Sequence, residues 1–488
     1  MPRSFCPWLC LLLVLPTALA YDNNAPSSRL PVLGWSSWEA VGPAVKPEFD
    51  FCSQQTLEAS IDALTDLSLG LFDAGYRHVT VSDCWAGGRN ASGYLYADKT
   101  RFPNGMKVVA DYAHARNLTF GVYTCAGDMT CFGGRPGSKD HWQQDADVFA
   151  ELGVDWVKCD WCNTGGMDPK TTYPVFSKAL NASGRPIHFN LCEWGEEDPW
   201  EWADTVAQSW RATADHDGSW DSTKSIIESV SRFAINANYS GRPWGWNDMD
   251  MLQTGNTGSR AAHDAHRPPA TMTPTEYVSE FSMWSISASP LIFSTPLYNA
   301  TQAPLSTCKV SLVTQLSVAE CKLGVSFGCY LNDTVWTNDC RGVFDCNGAN
   351  VTCNIDGNGT HICPCNTAPV QYTPWITPLQ KEILLNREAL AINQDETRQA
   401  APLRADLTLW SRALTGGDVA VAVLNLADTP AAIGFNFTEL GWSTTTQASV
   451  RDVWRKTTTS MTGAFPAVSM EPHATTLLRL TKQGGEKV

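Results

Sequence analysis

The amino-acid sequence predicts an α/β protein: a closed (β/α)8 barrel followed by a smaller antiparallel β-sandwich. Short β-rich runs alternate with longer helical ones between Trp35 and Gln394. From about Leu407 the β-runs follow one another with no helical spacing between them. The length of 488 residues suits a barrel of roughly 250 to 400 residues with one further module.

The strand candidates, in order, are Leu33 to Trp38, the stretch marked by Val79 and Val81, Phe120 to Tyr123, Trp156 to Cys159, Ile187 to Leu191, Ala207 to Arg211, Gly245 to Asp248 and Pro290 to Ser294. Helical spacing intervenes. Leu57, Ile61, Leu64, Leu67 and Leu71 form an apolar stripe that predicts one helix ending at Gly75. Strand, helix, strand in repetition means a parallel sheet with right-handed crossovers, and eight strands favour closure over an open doubly wound sheet.

The tail carries β-runs at Leu407 to Trp410, Val419 to Leu424, Ile433 to Phe437, Val450 to Trp454 and Thr475 to Leu480. Gly416-Gly417-Asp418 is a hairpin signal. The expected boundaries are therefore a barrel over 21–397 and a β domain over 398–488, with a cysteine-rich insertion at about 300–372.

A formal charge of -15 and a pI near 5.0 argue against nucleic acid or an anionic membrane as partner, because phosphates are repelled. The basic start at Arg3, the apolar run from Phe5 to Leu15 and the small residues Ala18 and Ala20 predict a signal peptide over 1–20. That run is too short for a membrane anchor. Secretion places the cysteines in an oxidising compartment. Acceptor sequons at Asn90, Asn117, Asn181, Asn238, Asn299, Asn332, Asn350, Asn358 and Asn436 agree.

Between Cys308 and Cys365 eight cysteines sit among Asn, Gly and Thr, at 308, 321, 329, 340, 346, 353, 363 and 365. An even number in a loop-rich secreted stretch predicts a disulfide-stapled insertion; irregular spacing disfavours the rival reading of a zinc site. Because it follows the eighth strand, it is expected to hang from the face of the barrel where active sites sit, and to select among extended substrates.

Barrel enzymes place catalytic side chains at strand ends. Lys158, Cys159 and Asp160 end the fourth strand, where period-two alternation points Lys158 and Asp160 the same way. A lysine beside a carboxylate keeps it ionised, as a nucleophile requires, although a structural ion pair has the same pattern. Further carboxylates follow the sixth strand at Asp215 and Asp217, and the seventh at Asp248 and Asp250. Capping or turn roles are the plainer alternative for Asp217 and Asp248. Two carboxylates about 5 Å apart, one protonated, are what a retaining glycosidase needs.

The motifs Leu33-Gly34-Trp35-Ser36-Ser37-Trp38, Asp83-Cys84-Trp85, Gly121-Val122-Tyr123, Lys158-Cys159-Asp160-Trp161-Cys162, Cys192-Glu193-Trp194-Gly195, Asp248-Met249-Asp250-Met251-Leu252 and Ala391-Ile392-Asn393-Gln394-Asp395 stand in a fixed order. In this the chain resembles glycoside hydrolase family 27, which comprises α-galactosidases, α-N-acetylgalactosaminidases and relatives. The likeness covers nearly the whole mature chain apart from the insertion.

The resemblance implies Asp160 as the nucleophile and Asp215 as the acid/base. It implies Lys158 and Arg211 as hydrogen-bond partners of ring hydroxyls, Trp38 and Tyr123 as pocket walls, and Asp83 as the carboxylate that grips the axial hydroxyl of galactose. Asp250 and Met251 match positions lining the site. Cys52 with Cys84, and Cys131 with Cys162, resemble the family's disulfides. Glu193 stands where galactosidases read the 2-hydroxyl and where small residues admit an acetamide, so N-acetylgalactosamine is disfavoured; the bulk of Glu196 agrees.

Ser82 departs from the family pattern of two consecutive aspartates, and a hydroxyl does not replace a charge-assisted bond to the C6 hydroxymethyl. A β-L-arabinopyranosidase is therefore the nearest alternative to an α-galactosidase. A catalytically dead glycan-binding protein on the same scaffold is a further one, weighed against by the presence of both Asp160 and Asp215. The expected substrates are galactose-containing oligosaccharides or polysaccharide side chains. No metal or organic cofactor is expected, since two carboxylates suffice. Cys125, Cys159 and Cys192 are the candidates for an unpaired thiol.

Overall fold

A computed structural model of the chain describes residues 21–40, 52–132, 134–235, 245–256, 270–302 and 370–483, with the insertion strands named below. The barrel strands are β1 (Leu33–Ser36), β2 (His78–Val81), β3 (Thr119–Cys125), β4 (Trp156–Asp160), β5 (His188–Cys192), β6 (Ser209–Arg211), β7 (Trp246–Asp248) and β8 (Leu291–Phe293). They form one eight-stranded sheet in the order β8-β1-β2-β3-β4-β5-β6-β7, and each pairing is parallel. Closure comes just beyond β7, where Leu252 bridges to Phe293 in parallel and its amide donates to Ile292 O at 2.9 Å. Each of the eight expected strands is present, and several start one or two residues later than the apolar runs do.

Large side chains fill the barrel because glycines make room for them. A Cβ at Gly34 would lie 2.7 Å from His78 Cβ, and one at Gly121 would lie 2.8 Å from the His78 ring and 2.9 Å from the Trp156 ring. The buried imidazole of His78 and indole of Trp156 thus occupy space that any other residue at these positions would claim.

The surrounding helices are α1 (Gln54–Thr65), α2 (Leu71–Ala74), α3 (Met106–His114), α4 (Trp142–Leu152), α5 (Pro169–Ala182), α6 (Trp220–Ala234) and α7 (Pro274–Ile286), followed by α8 (Pro378–Leu384) and α9 (Arg387–Asn393). Several start on side-chain caps: Ser53 on the Thr56 amide, Asp168 on Lys170, Ser219 on Ser222 and Thr273 on Glu276. The stripe from Leu57 to Leu71 is not one helix. The carboxylate of Asp66 accepts the Ser68 amide in a local turn, Gly70 takes φ +77°, and Leu67 is 75% exposed. A competing side-chain turn broke the helix where hydrophobic spacing alone continued it.

The C-terminal part comprises β9 (Leu409–Ala413), β10 (Val419–Leu424), β11 (Ala431–Asn436), β12 (Gln447–Asp452), β13 (Thr457–Thr462), β14 (Ala464–Met470) and β15 (Thr475–Lys482). Strand Ala401–Pro402 and β9, β10, β15, β12 and β13 make one sheet in that order; β11 and β14 pair in a second. The glycines of the Gly416-Gly417-Asp418 turn both take positive φ, at +80° and +87°. The apolar reading missed β13 and β14. Threonines dominate β13 and most of its residues are exposed, so no apolar alternation announces it.

Barrel and sandwich share a core. The main hydrophobic cluster runs from the barrel helices through Trp284 and Ile392 into Trp410, Ala420, Leu424 and Leu477. At this junction Arg412, 1% exposed, has no carboxylate on its guanidinium. It donates instead to the carbonyls of Ser285, Ile392, Asn393, Asp395, Thr397 and Arg398. These carbonyls lie at or just past the ends of α7 and α9, where backbone acceptors lack helical partners and the helix dipole favours a cation.

Residues Tyr298–Thr373 form a separate unit. Its antiparallel sheet runs Thr334–Asn338, Phe327–Leu331, Thr307–Val310, His361–Pro364 and Asn354–Ile355, with Cys308 opposite Cys363 in register. The signal peptide, the side chains of the insertion cysteines and of Asn299, and Asn238, Asn332, Asn350 and Asn358 lie outside what is described. No helix among the described residues is long and apolar enough to cross a membrane.

Replacing Arg412 by Met keeps most of the side-chain volume but leaves six carbonyls, three of them at buried contacts, without this donor. Urea unfolding should show a loss of about 3 kcal/mol, and Arg412→Lys should recover only part of it.

Candidate active site

Strand register decides which side chains meet. Cys125, Asp160, Cys192, Arg211 and Asp248 stand in one row across β3 to β7, at the carboxyl end of the barrel. Two residues below them, and so pointing the same way, Tyr123, Lys158, Asn190, Ser209 and Trp246 form a second row. The Asp160 carboxylate, two cations and two further acidic or amide groups thereby converge without any loop having to be ordered.

Asp160 is buried and its two oxygens differ. Oδ2 accepts from the Tyr123 hydroxyl at 2.8 Å and lies 3.4 Å from Cys131 Sγ. Oδ1 has no hydrogen-bond donor among the described residues, and the Lys158 ammonium lies 3.5 Å away. Burial opposes the charge on Lys158, yet Asp160 holds its pKa above the ordinary value. Burial, and then the Asp160 carboxylate, raise Tyr123 well above its usual value, so the phenol remains a donor.

Disulfides fix the walls. Cys52 is bonded to Cys84 and Cys131 to Cys162. The second holds the loop after β3, whose Phe132 amide donates to Asp83 Oδ2 at 2.9 Å, while Asp83 Oδ1 is buried without a donor. Burial raises the Asp83 pKa.

On the opposite side the buried Arg211 guanidinium lies 3.0 Å from Asp215 Oδ1 and 3.0 Å from Asp250 Oδ2. Asp215 is exposed and Asp250 buried. Asp250 takes a left-handed φ of +79° and receives the amides of His216 and Met251. Glu193 is buried, with Oε2 accepting the Glu197 amide and Oε1 lacking a donor.

Residues 30–306 match the family described as Alpha galactosidase A, and residues 404–480 match the Alpha galactosidase C-terminal beta sandwich domain. The chain belongs to the α-galactosidase family, glycoside hydrolase family 27. It is 31% identical over 457 residues to the α-galactosidase of Cyamopsis tetragonoloba, covering 93% of this chain and 86% of that one. With α-galactosidase A of Cellvibrio japonicus it shares 39% identity over 281 residues, 56% of this chain and 63% of that protein's length. The crystal structure of α-galactosidase I from Mortierella vinacea aligns with a TM-score of 0.67 at 25% identity, over 94% of this chain and 98% of that one.

Within this α-galactosidase-family barrel, Ser82, Tyr123, Lys158, Arg211, Asp250 and Met251 line one depression, while Asp83 and Tyr123 line a neighbouring one. Trp38 is half-buried just beyond β1, with its amide donating to Ser36 Oγ. Asp217 serves the turn before α6, accepting from the Ser219 amide and hydroxyl. Asp248 is structural too, accepting from Asn190 and from the Asp250 amide. Cys125, Cys159 and Cys192 are all buried free thiols. Sequence reasoning passed over Thr80, Trp156 and Asn190, which also line the first depression. Counting back two residues from Cys192 finds Asn190; the Phe132 amide has no side-chain signature to find.

Behind the site, Glu280 accepts from the Gln253 amide and the Thr254 hydroxyl and faces His216 Nδ1 at 3.5 Å. Burial pushes Glu280 and Glu193 each up from 4.5 to about 8. Burial pulls His78 and His188 down from 6.5, to about 4 and about 3. Above pH 6.5 the native protein keeps protons on these two glutamates that the unfolded chain has lost, so they make stability fall towards pH 8. Below pH 4.5 the unfolded chain protonates histidines that the native fold holds neutral, so stability falls again. Between these limits the two effects oppose each other. The thermal midpoint should decline from about pH 6.5 towards pH 8 and again below about pH 4.5. Glu280→Gln should flatten the alkaline decline; an unchanged slope contradicts this account.

Proposed function

We propose that the chain is a secreted, retaining exo-glycosidase that removes terminal α-D-galactosyl residues by double displacement. The observation that carries the reading is Asp160 Oδ1, a buried carboxylate oxygen with a cation 3.5 Å away and no donor to satisfy it. Tyr123 holds the other oxygen and fixes the plane of the group. Such an oxygen is a nucleophile rather than a structural ion-pair partner.

In the first step Asp160 attacks C1 while Asp215 delivers a proton to the leaving oxygen. In the second, Asp215 takes a proton from water, which attacks C1 and releases Asp160 with net retention. Arg211, bound to both Asp215 and Asp250, orients the acid/base. Asp83 Oδ1, buried without a donor among the described residues, is an acceptor for a sugar hydroxyl, and Glu193, which burial keeps protonated, offers its Oε1 hydroxyl as a donor. Exposure of Asn90, Asn117, Asn181 and Asn436 suits glycosylation, and with the two disulfides supports secretion.

Asp160→Ala should abolish turnover without loss of fold, with azide restoring activity on an activated α-galactoside and yielding a β-galactosyl azide. Asp215→Ala should spare substrates with good leaving groups; equal losses on good and poor leaving groups count against its role.

One observation favours a second reading. Ser82 lines the depression beside Asp83 and offers a neutral hydroxyl where a second carboxylate would grip a hydroxymethyl group. A β-L-arabinopyranoside lacks that group. Ser82→Asp should raise the ratio of α-galactoside to β-L-arabinopyranoside hydrolysis by about tenfold. No change in the ratio removes Ser82 as the determinant.

A further inference from the structure

The segment that carries Asp215 leaves the barrel after β6 and re-enters it at one side chain. Ala214 and Asp215 are exposed, whereas the next residue, His216, is 1% exposed. Every polar atom of His216 has a partner. Its amide donates to Asp250 Oδ2 at 2.7 Å, and its carbonyl accepts from the Gln253 side-chain amide at 3.3 Å. In the ring, Nδ1 lies 3.2 Å from the Met251 carbonyl and 3.5 Å from Glu280 Oε1. A carbonyl only accepts, so Nδ1 carries a hydrogen. Nε2 lies 2.8 Å from the Thr223 hydroxyl. The ring packs beside Trp284, centroids 5.4 Å apart, and the Trp284 indole donates to the Asp250 carbonyl.

The imidazole thus joins α6, α7 and the segment after β7 to the residue that follows Asp215. Stability alone does not call for this, since buried hydrogen bonds gain little over well-packed apolar groups of the same size. What they add is direction. Arg211 holds the Asp215 carboxylate from the β6 side. His216 holds the adjoining backbone from the other. Asp160 is held separately, by Tyr123 and Lys158 on β3 and β4.

We propose that His216 is a positioning residue for the acid/base: through Met251, Glu280 and Thr223 its imidazole fixes the backbone from which Asp215 is aimed at the leaving oxygen. This rests on Asp215 as acid/base. Loss of the imidazole impairs proton delivery and leaves the attack of Asp160 on C1 intact, because a small misplacement of a proton donor is costly while the nucleophile keeps its own supports.

The test compares kcat/KM of the full chain on methyl α-galactoside, whose leaving oxygen needs a proton, and on 2,4-dinitrophenyl α-galactoside, whose leaving group departs without one. His216→Leu keeps similar volume and removes the ring's hydrogen bonds. It should lower kcat/KM about thirtyfold on the methyl glycoside and less than about threefold on the aryl one. His216→Asn, whose side-chain amide can donate to the Met251 carbonyl as Nδ1 does, should recover most of the loss. Thr223→Val, a milder change, should show the same split at about threefold. Azide needs no base to attack C1 of the glycosyl-enzyme and displace Asp160. With the aryl substrate it should therefore raise kcat of His216→Leu but not of the wild type, and yield an α-galactosyl azide. Inhibition by free galactose should stay within about twofold. Equal losses on the two substrates overturn the proposal, as does wild-type behaviour of both His216→Leu and Thr223→Val. Should His216→Leu not fold, Thr223→Val decides between the same outcomes. A split in Asp215→Ala without one in the His216 and Thr223 variants overturns the positioning role alone; no split in Asp215→Ala overturns the acid/base assignment with it.

Discussion

One buried guanidinium organises the mouth of the barrel. Arg211 ends β6 and binds Asp215 and Asp250 at 3.0 Å each. Through Asp250 it reaches the His216 amide, and so fixes both ends of the segment that carries Asp215. An exposed aspartate would otherwise sample many rotamers. Arg211 Nη2 alone meets both carboxylates and the Thr213 carbonyl. The desolvation cost of Arg211 is offset by the two carboxylates beside it and by its other partners, including Cys192 Sγ at 3.7 Å.

The same economy extends outward. The Asp250 carbonyl accepts the Trp284 indole from α7, and α7 in turn gives its last carbonyls to Arg412. A chain of buried polar contacts therefore links the catalytic end of the barrel to the sandwich. The C-terminal part contributes no side chain to the depression, yet through α7 it supports the element on which Asp250 rests.

Much of this was legible in the sequence, for physical reasons that differ by element. Barrel strands are buried on both faces and read as short apolar runs, which is why all eight were found. The break after Thr65 was not, because Asp66 bonds locally while the leucine spacing continues through Leu67. β13 escaped because an exposed threonine strand leaves no apolar trace. In the site, alternation alone placed Lys158 with Asp160. Asp215 stood out as a carboxylate past the sixth strand, but its role, like the choice of Glu193, came only from motif likeness, since both lie beyond their strands in loops where periodicity carries no information. Contacts made by backbone amides, such as Phe132 on Asp83, have no residue type to betray them.

The distribution of unmet polar groups carries the functional argument one step further. Among the described residues, Asp83 Oδ1, Asp160 Oδ1, Asn190 Oδ1, Glu193 Oε1 and Arg211 Nε are all buried without a hydrogen-bond partner, and all lie at or next to the upper strand rows. Folding alone does not favour such a cluster, because each unmet group costs about 1 to 3 kcal/mol. Three of the five, on Asp83, Asp160 and Asn190, are acceptors, a set that suits a ligand rich in hydroxyl donors, and Arg211 Nε with the protonated Glu193 adds donors for a ring oxygen or hydroxyl lone pair. The constraint that makes the barrel less stable at this end is therefore the one that makes it specific for a polyhydroxylated ring.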